Sequence, residues 1–376
     1  YLTGTPGRVI TATNASGEEM PFSYEMYYDA QNGNDVVLTI DEVIQHYLEK
    51  NLEIAAYDNQ VANQVTGIVM DVNTGAILGM ATKGDFDPND PFTITDETKL
   101  QELQAITDEE EYKEKRTEIL QDQWRNKAIT DTYDPGSTFK ILSAYAPALD
   151  SGKYTLATAV LDEPITYSSG QTVHNADGKY RGYTSIREAI QDSVNVVAIK
   201  TVEDITPKTG YEMVKKFGIS TLTKDDIVES LPLGVGAVSN LELAAAFEVI
   251  PNGGKYKEPV LYTKILDQDG NVLLDKTPKT HTVIKDSTAY LLTSAMEDVV
   301  KYGTGKLADF GTMPIAGKTG TAGTTEAARD AWFAGFTPYY TCVVWGGYDD
   351  YSELESTKYP KILWNRIMGQ LHEGLE

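Results

Sequence analysis

The stretch Asp134-Pro135-Gly136-Ser137-Thr138-Phe139-Lys140 decides how this chain is read. Asp-Pro-Gly is a helix-start sequence, with Asp134 as candidate N-cap and Pro135 in the first turn. Ser137 then falls in the first helical turn. Lys140, three residues on, shares its face at a Cβ separation of roughly 5–6 Å. Helix-start N–H groups and the helix dipole favour negative charge developing beside Ser137. A lysine takes a serine proton only when neutral, and burial or a second cation lowers its pKa. Ser137 is the only serine in the chain with a lysine three residues on.

Two further words follow in order: Ser193-Val194-Asn195 and Lys318-Thr319-Gly320-Thr321. Residues two apart on an extended segment point the same way, so Ser193 and Asn195 are expected to line one wall. Lys318 sits in the small-residue run Pro314-Ile-Ala-Gly-Lys-Thr-Gly-Thr-Ala-Gly323, which reads as a strand that a ligand approaches closely. Lys318 is the candidate second cation. With the hydroxyls of Thr319 and Thr321 it forms a grip for a carboxylate, and Gly320 leaves room for it. The N–H groups of Ser137 and Thr321 are candidates for an oxyanion hole. Lys-Thr-Gly also occurs at Lys208-Thr209-Gly210; it follows Pro207, precedes a polar helical pattern and reads as a turn.

Taken singly, each word has an ordinary reading: a helix-start serine with a solvated lysine, a pair of loop or cap residues, a turn. As an ordered set they describe a serine nucleophile with a lysine base, a proton-relay wall and a cationic strand. That is an acyl-transfer site without histidine. Rival motifs fail. Gly311 to Thr319 imitates a phosphate-binding loop but has five residues between its glycines where four are required. No Gly-x-Ser-x-Gly elbow occurs. His46, His174, His281 and His372 are scattered, so neither a Ser-His-Asp triad nor a metal site is suggested, and no cofactor is implied.

The 376 residues carry a formal charge of −24, which argues against nucleic acid as a partner. The one cysteine, Cys342, excludes an internal disulfide and lies in an apolar run read as a buried strand. The chain starts at Tyr1 without an initiator Met, a signal peptide or a long apolar stretch, so the expectation is a soluble protein or one whose anchor has been removed.

Along the chain, residues 1–35 read as a linker or the remnant of an N-terminal β-rich pedestal. A strand is expected at Val36–Ile40 and a helix over about Asp41–Asp58, from apolar spacing. Gln64–Thr82 reads as a hairpin turning at Asn73-Thr74-Gly75, and Asp96–Gln123 as a solvated, charged helical insertion. A mostly helical stretch runs from the Ser137 helix to about Asn252. Pro259–Asp275 reads as a hairpin with Asp269-Gly270 at its turn, and Ser287–Lys301 as a helix. The Lys318 strand, strands at Ala331–Thr337 and Thr341–Gly346, and a last helix from about Pro360 close the chain. Strands at both ends around a helical middle predict an α/β (α+β) sandwich.

With these residues in place, the chain resembles the transpeptidase domain of penicillin-binding proteins over nearly all its length. The Ser-x-x-Lys, Ser-x-Asn and Lys-Thr-Gly words are shared with serine β-lactamases. The resemblance implies a β-lactamase/transpeptidase-like fold: a five-stranded antiparallel sheet flanked by helices, with the active serine between it and a helical subdomain over about 140–252. Residues 36–376 would form this domain. The resemblance makes Ser137 the acylated nucleophile, Lys140 its base, and Ser193 and Asn195 the relay and orienting pair. Lys318, Thr319, Gly320 and Thr321 become the strand that binds substrate and β-lactam.

Thr5-Pro-Gly-Arg, Leu38-Thr-Ile-Asp-Glu-Val-Ile-Gln, Asp85-Phe-Asp-Pro-Asn and the Ser137 segment are similar to class B enzymes. Leu142-Ser-Ala-Tyr-Ala-Pro-Ala-Leu, Asn240-Leu-Glu-Leu-Ala-Ala-Ala-Phe and Asp330-Ala-Trp-Phe-Ala-Gly-Phe-Thr-Pro are similar to class A enzymes. A recombinant, an engineered chimera and a lineage with both features all fit that mosaic. The implied activity is serine D,D-transpeptidation of peptidoglycan stem peptides at the extracytoplasmic face of the membrane, with β-lactams as covalent inhibitors. Other cell-wall synthesis or division proteins are expected partners. D,D-carboxypeptidase, β-lactamase, and β-lactam sensor or inactive scaffold are the alternatives.

Overall fold

The computed structural model describes residues 1–10, 26–59, 65–166, 170, 172–323, 327–348 and 352–375. They divide into two compact units: Tyr1–Ile40 with Val260–Pro278, and Asp41–Pro259 with Lys279–Glu376.

The larger unit is organised on an antiparallel sheet of five strands. In chain order these are β1 (Val65–Asp71), β2 (Ile77–Thr82), β3 (Ala316–Gly323), β4 (Ala328–Phe336) and β5 (Tyr340–Gly347). Their spatial order is β3-β4-β5-β1-β2, so β3, which carries Lys318, is an edge strand. The β1–β2 hairpin is built by Asp71, whose carboxylate accepts from the N–H groups of Asn73 and Thr74, as the Asn-Thr-Gly turn predicts.

Helices cover both faces of the sheet. Helix α1 (Glu42–Asp58) starts where Asp41 accepts from Val43 N and Ile44 N. It packs with the last helix, Tyr359–Leu371, on one face, where Leu48, Leu52, Phe333, Val344 and Trp364 form a common core. Cys342 lies in this core as a buried strand thiol. The helix Asn240–Glu248 packs on β1, β4 and β5, and its Asn240 side chain donates to Thr66 Oγ1. With both faces covered, β4 and β5 are apolar almost throughout. The sheet and its flanking helices are the architecture the resemblance implied.

The charged insertion forms two helices, Glu97–Gln104 and Glu109–Trp124, capped by Asp96 and Asp108. They close on a small cluster of Ile94, Leu103, Ile119 and Leu120. The middle of the chain is less uniformly helical than the sequence suggests. Ala159–Asp162 pairs with Gly182–Ser185, and Ile165–Thr166 with Thr172–Val173. These strands have at most four residues, too short to give an alternation signal.

The smaller unit contains a two-stranded ribbon, Arg8–Ile10 with Met26–Tyr28, and a three-stranded sheet. In that sheet Asp35–Leu38 pairs with Tyr262–Leu266, which turns at Asp267–Gly270 onto Val272–Asp275. The unit therefore takes in residues 36–40 and 260–278 besides the first 35. Residues 11–25 of the expected pedestal lie outside the described residues.

Candidate active site

Ser137 is presented by a short 3-10 turn, Gly136–Thr138, not by the first turn of an α-helix. Asp134 is not its N-cap: the turn has no side-chain cap, and the Asp134 backbone carbonyl instead accepts from Trp332 Nε1 at 2.9 Å. Lys140 lies beyond that turn, at the start of the next element. A π-helical run, Lys140–Tyr145, follows before α-helical Ala146–Asp150. π-Bulges are frequent at functional sites.

Two glycines let the turn sit against its neighbours. Gly136 has φ +55°, and a Cβ there would lie 2.4 Å from Thr321 O and 2.7 Å from Thr321 N. Gly234, at φ +73°, would bring its own Cβ to 2.3 Å from Gly136 N and O. Gly320 serves the same packing: its missing Cβ faces the Pro135 carbonyl at 2.4 Å. Gly320 thus makes room for the serine turn on that side, where room for a ligand was expected.

Lys140 is fully buried. Its Nζ donates to Ser193 O at 2.6 Å and to Asn195 Oδ1 at 2.5 Å, and lies 3.2 Å from Ser193 Oγ. Burial first, then the positive charge of Lys318, holds its pKa well below the ordinary lysine value.

Ser193 and Asn195 both face Lys140, though not on an extended segment. Ser193 has φ +56°, a left-handed conformation uncommon for a residue with a side chain. Asn195 is the first residue of the helix Asn195–Ile205. The sharp bend aims both the carbonyl and the hydroxyl of Ser193 at one amine. Backbone strain of this kind, about 1–3 kcal/mol, clusters at functional sites.

Lys318 is also fully buried, and its Nζ donates to Ser193 Oγ at 2.8 Å and Thr319 O at 3.1 Å. Burial, with a smaller contribution from Lys361, lowers its pKa to about 7. Thr319 Oγ1 lies 2.8 Å from Thr304 Oγ1, and Thr321 is exposed. Ser137, Ser193, Asn195, Thr319 and Thr321 all line one cavity of about 1020 Å³, with Asp134 at its wall. The two lysines stand behind that lining. Among the described residues, no cluster of three or more His, Cys, Asp or Glu side chains is arranged to hold a metal ion.

Lys208, in the second Lys-Thr-Gly word, lies in the first turn of the helix Pro207–Lys216 and not in a loop turn, and its side chain is 73% exposed. Sequence reading missed Gly234, Thr304 and Asn175. The first and second support the serine turn and Thr319; the third binds the backbone of Asn195. All three make contacts too distant in sequence to leave a local pattern.

The family model for the penicillin-binding protein transpeptidase domain matches residues 65–355. The chain belongs to this family. Among curated relatives of the transpeptidase domain, penicillin-binding protein 1A of Clostridium acetobutylicum is 37% identical over 266 residues, 66% of this chain and 32% of that one. Penicillin-binding protein 1A/1B of Bacillus subtilis is 32% identical over 270 residues, 66% of this chain and 29% of that one. The chain thus spans about a third of the length of these relatives. In fold it is similar to the D,D-transpeptidase domain of a peptidoglycan glycosyltransferase from Eggerthella lenta, with TM-score 0.74, 20% identity and full coverage of both chains. Penicillin-binding protein 3 of Mycobacterium tuberculosis gives TM-score 0.75 at 22% identity over 96% of this chain and 87% of that one.

Proposed function

We propose that this transpeptidase domain is a serine D,D-transpeptidase that cross-links peptidoglycan stem peptides. The observation that carries the reading is the convergence of Lys140 and Lys318 on the hydroxyl of Ser193, beside a cavity lined by Ser137.

The hydrogen-bond inventory supports the role of Lys140. A neutral amine has two N–H donors and one lone pair. Ser193 O and Asn195 Oδ1 accept only, so they take both donors. The lone pair is left for a hydroxyl proton. Lys318 also donates to Ser193 Oγ, so that hydroxyl stands between the two amines. In this reading Ser137 Oγ attacks the carbonyl of the D-Ala–D-Ala bond and its proton passes to Lys140. The proton returns through Ser193 to the nitrogen of the departing D-Ala as the C–N bond breaks. An amine of a neighbouring strand then attacks the acyl-Ser137 ester, and Ser137 regains its proton.

Lys318 with Thr319 and Thr321 binds the terminal carboxylate of the donor peptide. The close packing of Gly136 on Thr321 supports the N–H groups of Ser137 and Thr321 as the oxyanion hole. A β-lactam enters the same sequence and stops at the acyl-enzyme. The helical part, over about 140–252, supplies Lys140, Ser193 and Asn195, and the sheet supplies the Lys318 strand. The reading places the domain at the extracytoplasmic face of the bacterial membrane, among other cell-wall synthesis or division proteins.

The test is product analysis with a D-Ala–D-Ala stem peptide and an amine-bearing acceptor. Release of D-Ala together with a cross-linked dimer is expected. A trimmed monomer as sole product would make the protein a carboxypeptidase, and neither product would remove the enzymatic reading.

A further inference from the structure

Behind Asn195 lies a buried amide–carboxylate pair. Asn175 Oδ1 accepts from Asn195 N at 2.9 Å and from Val196 N at 3.2 Å. These are the first N–H groups of the helix Asn195–Ile205, which has no side-chain cap from the preceding Val194. Asn175 Nδ2 donates to both oxygens of Asp162, at 2.9 and 3.0 Å, and to Lys179 O at 2.7 Å. Every partner of that nitrogen is an acceptor and every partner of Oδ1 is a donor, so the amide has one orientation.

Asp162 is 1% exposed, and its Oδ2 also accepts from Arg181 N at 2.9 Å. A carboxylate buried this deeply stays in place only if it is well hydrogen-bonded. The neighbouring residue completes the clamp. Asn195 Nδ2 donates to His174 O at 2.8 Å, which leaves Asn195 Oδ1 facing Lys140 Nζ. One dipeptide, His174-Asn175, thus holds both the backbone and the side chain of Asn195.

We propose that Asn175, anchored by Asp162, is a positioning residue for the Lys140 amine, acting through Asn195 and Ser193. Lysine has a flexible four-carbon stem, so its amine stays where its acceptors are. Those acceptors are Ser193 O and Asn195 Oδ1. Both lie at the helix start that Asn175 fixes. Ser193 also keeps its left-handed φ only because its surroundings over-determine it, and the clamp two residues on supplies that constraint. This inference rests on the reading of Ser137 as nucleophile and Lys140 as base.

The test is stopped-flow or quenched acylation of the full chain by a reporter penicillin, in the parent and in Asn175→Ala, Asp162→Asn and the double variant. A misplaced catalytic group costs about 10²-fold for a displacement near 1 Å. Asn175→Ala is expected to lower the first-order acylation constant about 10–100-fold with little change in the pre-acylation dissociation constant. Asp162→Asn, which keeps the volume, is expected to lower the same constant by less. The double variant is expected to be no slower than Asn175→Ala alone, since Asp162 acts through Asn175.

A purely structural role gives a different signature: a smaller labelled fraction reacting at the parental rate. That result in Asn175→Ala overturns the inference. If Asn175→Ala does not fold, a parental rate in Asp162→Asn overturns it. Absence of labelling in the parent overturns the reading of the site as well, and so separates the two failures.

Discussion

Lys318 Nζ lies 2.8 Å from Ser193 Oγ, and the other side of that hydroxyl faces the buried amine of Lys140 at 3.2 Å. Both amines are fully buried beside one hydroxyl, and burial penalises the charge of each. The amine beside two acceptor-only oxygens is read as the neutral base, and the one on the edge strand as the cation. The chemistry proposed for the site depends on this division.

Lys140→Ala is expected to slow acylation by penicillin about 10²–10⁴-fold, the usual contribution of a positioned general base. Non-covalent binding before acylation should change little, because the Lys140 amine is held by Ser193 O and Asn195 Oδ1 and is assigned no contact with the ligand carboxylate. Separating the two constants in a concentration series of acylation rates checks this. Near-parental acylation would show that another group takes the Ser137 proton.

Lys318→Ala is expected to weaken recognition of ligands bearing a carboxylate, while Lys208→Ala is nearly silent. Lys208 lies in the first turn of the helix Pro207–Lys216 and its side chain is largely exposed. Second-order acylation constants for a carboxylate-bearing β-lactam and for an ester analogue measure the difference. Equal losses for both ligands in Lys318→Ala, or a large loss in Lys208→Ala, would contradict the assignment.

Gly234→Ala tests the packing of the serine turn. A Cβ there meets Gly136 N and O at 2.3 Å, and the residue holds φ +73°. Left-handed backbone costs a non-glycine residue roughly 1–2 kcal/mol, and overpacking typically adds about 1–3 kcal/mol. The variant is expected to melt measurably earlier and to acylate more slowly in its folded fraction. Parental stability and acylation together would mean that the turn is not held by this contact.

The candidate site was legible because it is written in short words: Ser137 and Lys140 three residues apart, Lys318 to Thr321 on one strand. The turn's actual form, 3-10 then π-helical, was hidden because both share the start signals of an α-helix. Ser193 read as extended because its left-handed backbone has no residue signature; a glycine would have announced it. Asn175 and Asp162 were invisible for a different reason. Each is an ordinary polar residue whose meaning comes from partners 13 to 21 positions away. The small sheet joining Asp35–Leu38 to Tyr262–Leu266 is likewise a long-range pairing that periodicity cannot reveal.

Glu248 gives a pH dependence of stability. It is fully buried, and neither carboxyl oxygen has a hydrogen-bond partner among the described residues. Burial raises its pKa from 4.5 to about 8, with Lys257 opposing and Asp71 adding smaller effects. The folded state then keeps a proton that the unfolded chain loses. Its contribution to stability is fully present below about pH 4.5 and is lost as pH rises through about 8. The slope in that window is at most about 1.4 kcal/mol per pH unit. Glu248→Gln should flatten the fall in melting temperature across the window. Parallel curves for parent and variant would contradict it.

The most direct test of the account is intact-mass and peptide-mapping analysis of the chain after incubation with penicillin, followed over time once free drug is removed. The account predicts a single adduct on Ser137, absent from Ser137→Ala with the fold retained. It also predicts that the adduct persists, since no Glu-x-x-Leu-Asn segment of the kind that serves deacylation in the commonest serine β-lactamases occurs between Asn195 and Lys318. An adduct on another serine, labelling that survives in Ser137→Ala, or rapid multiple-turnover hydrolysis of the drug would contradict it.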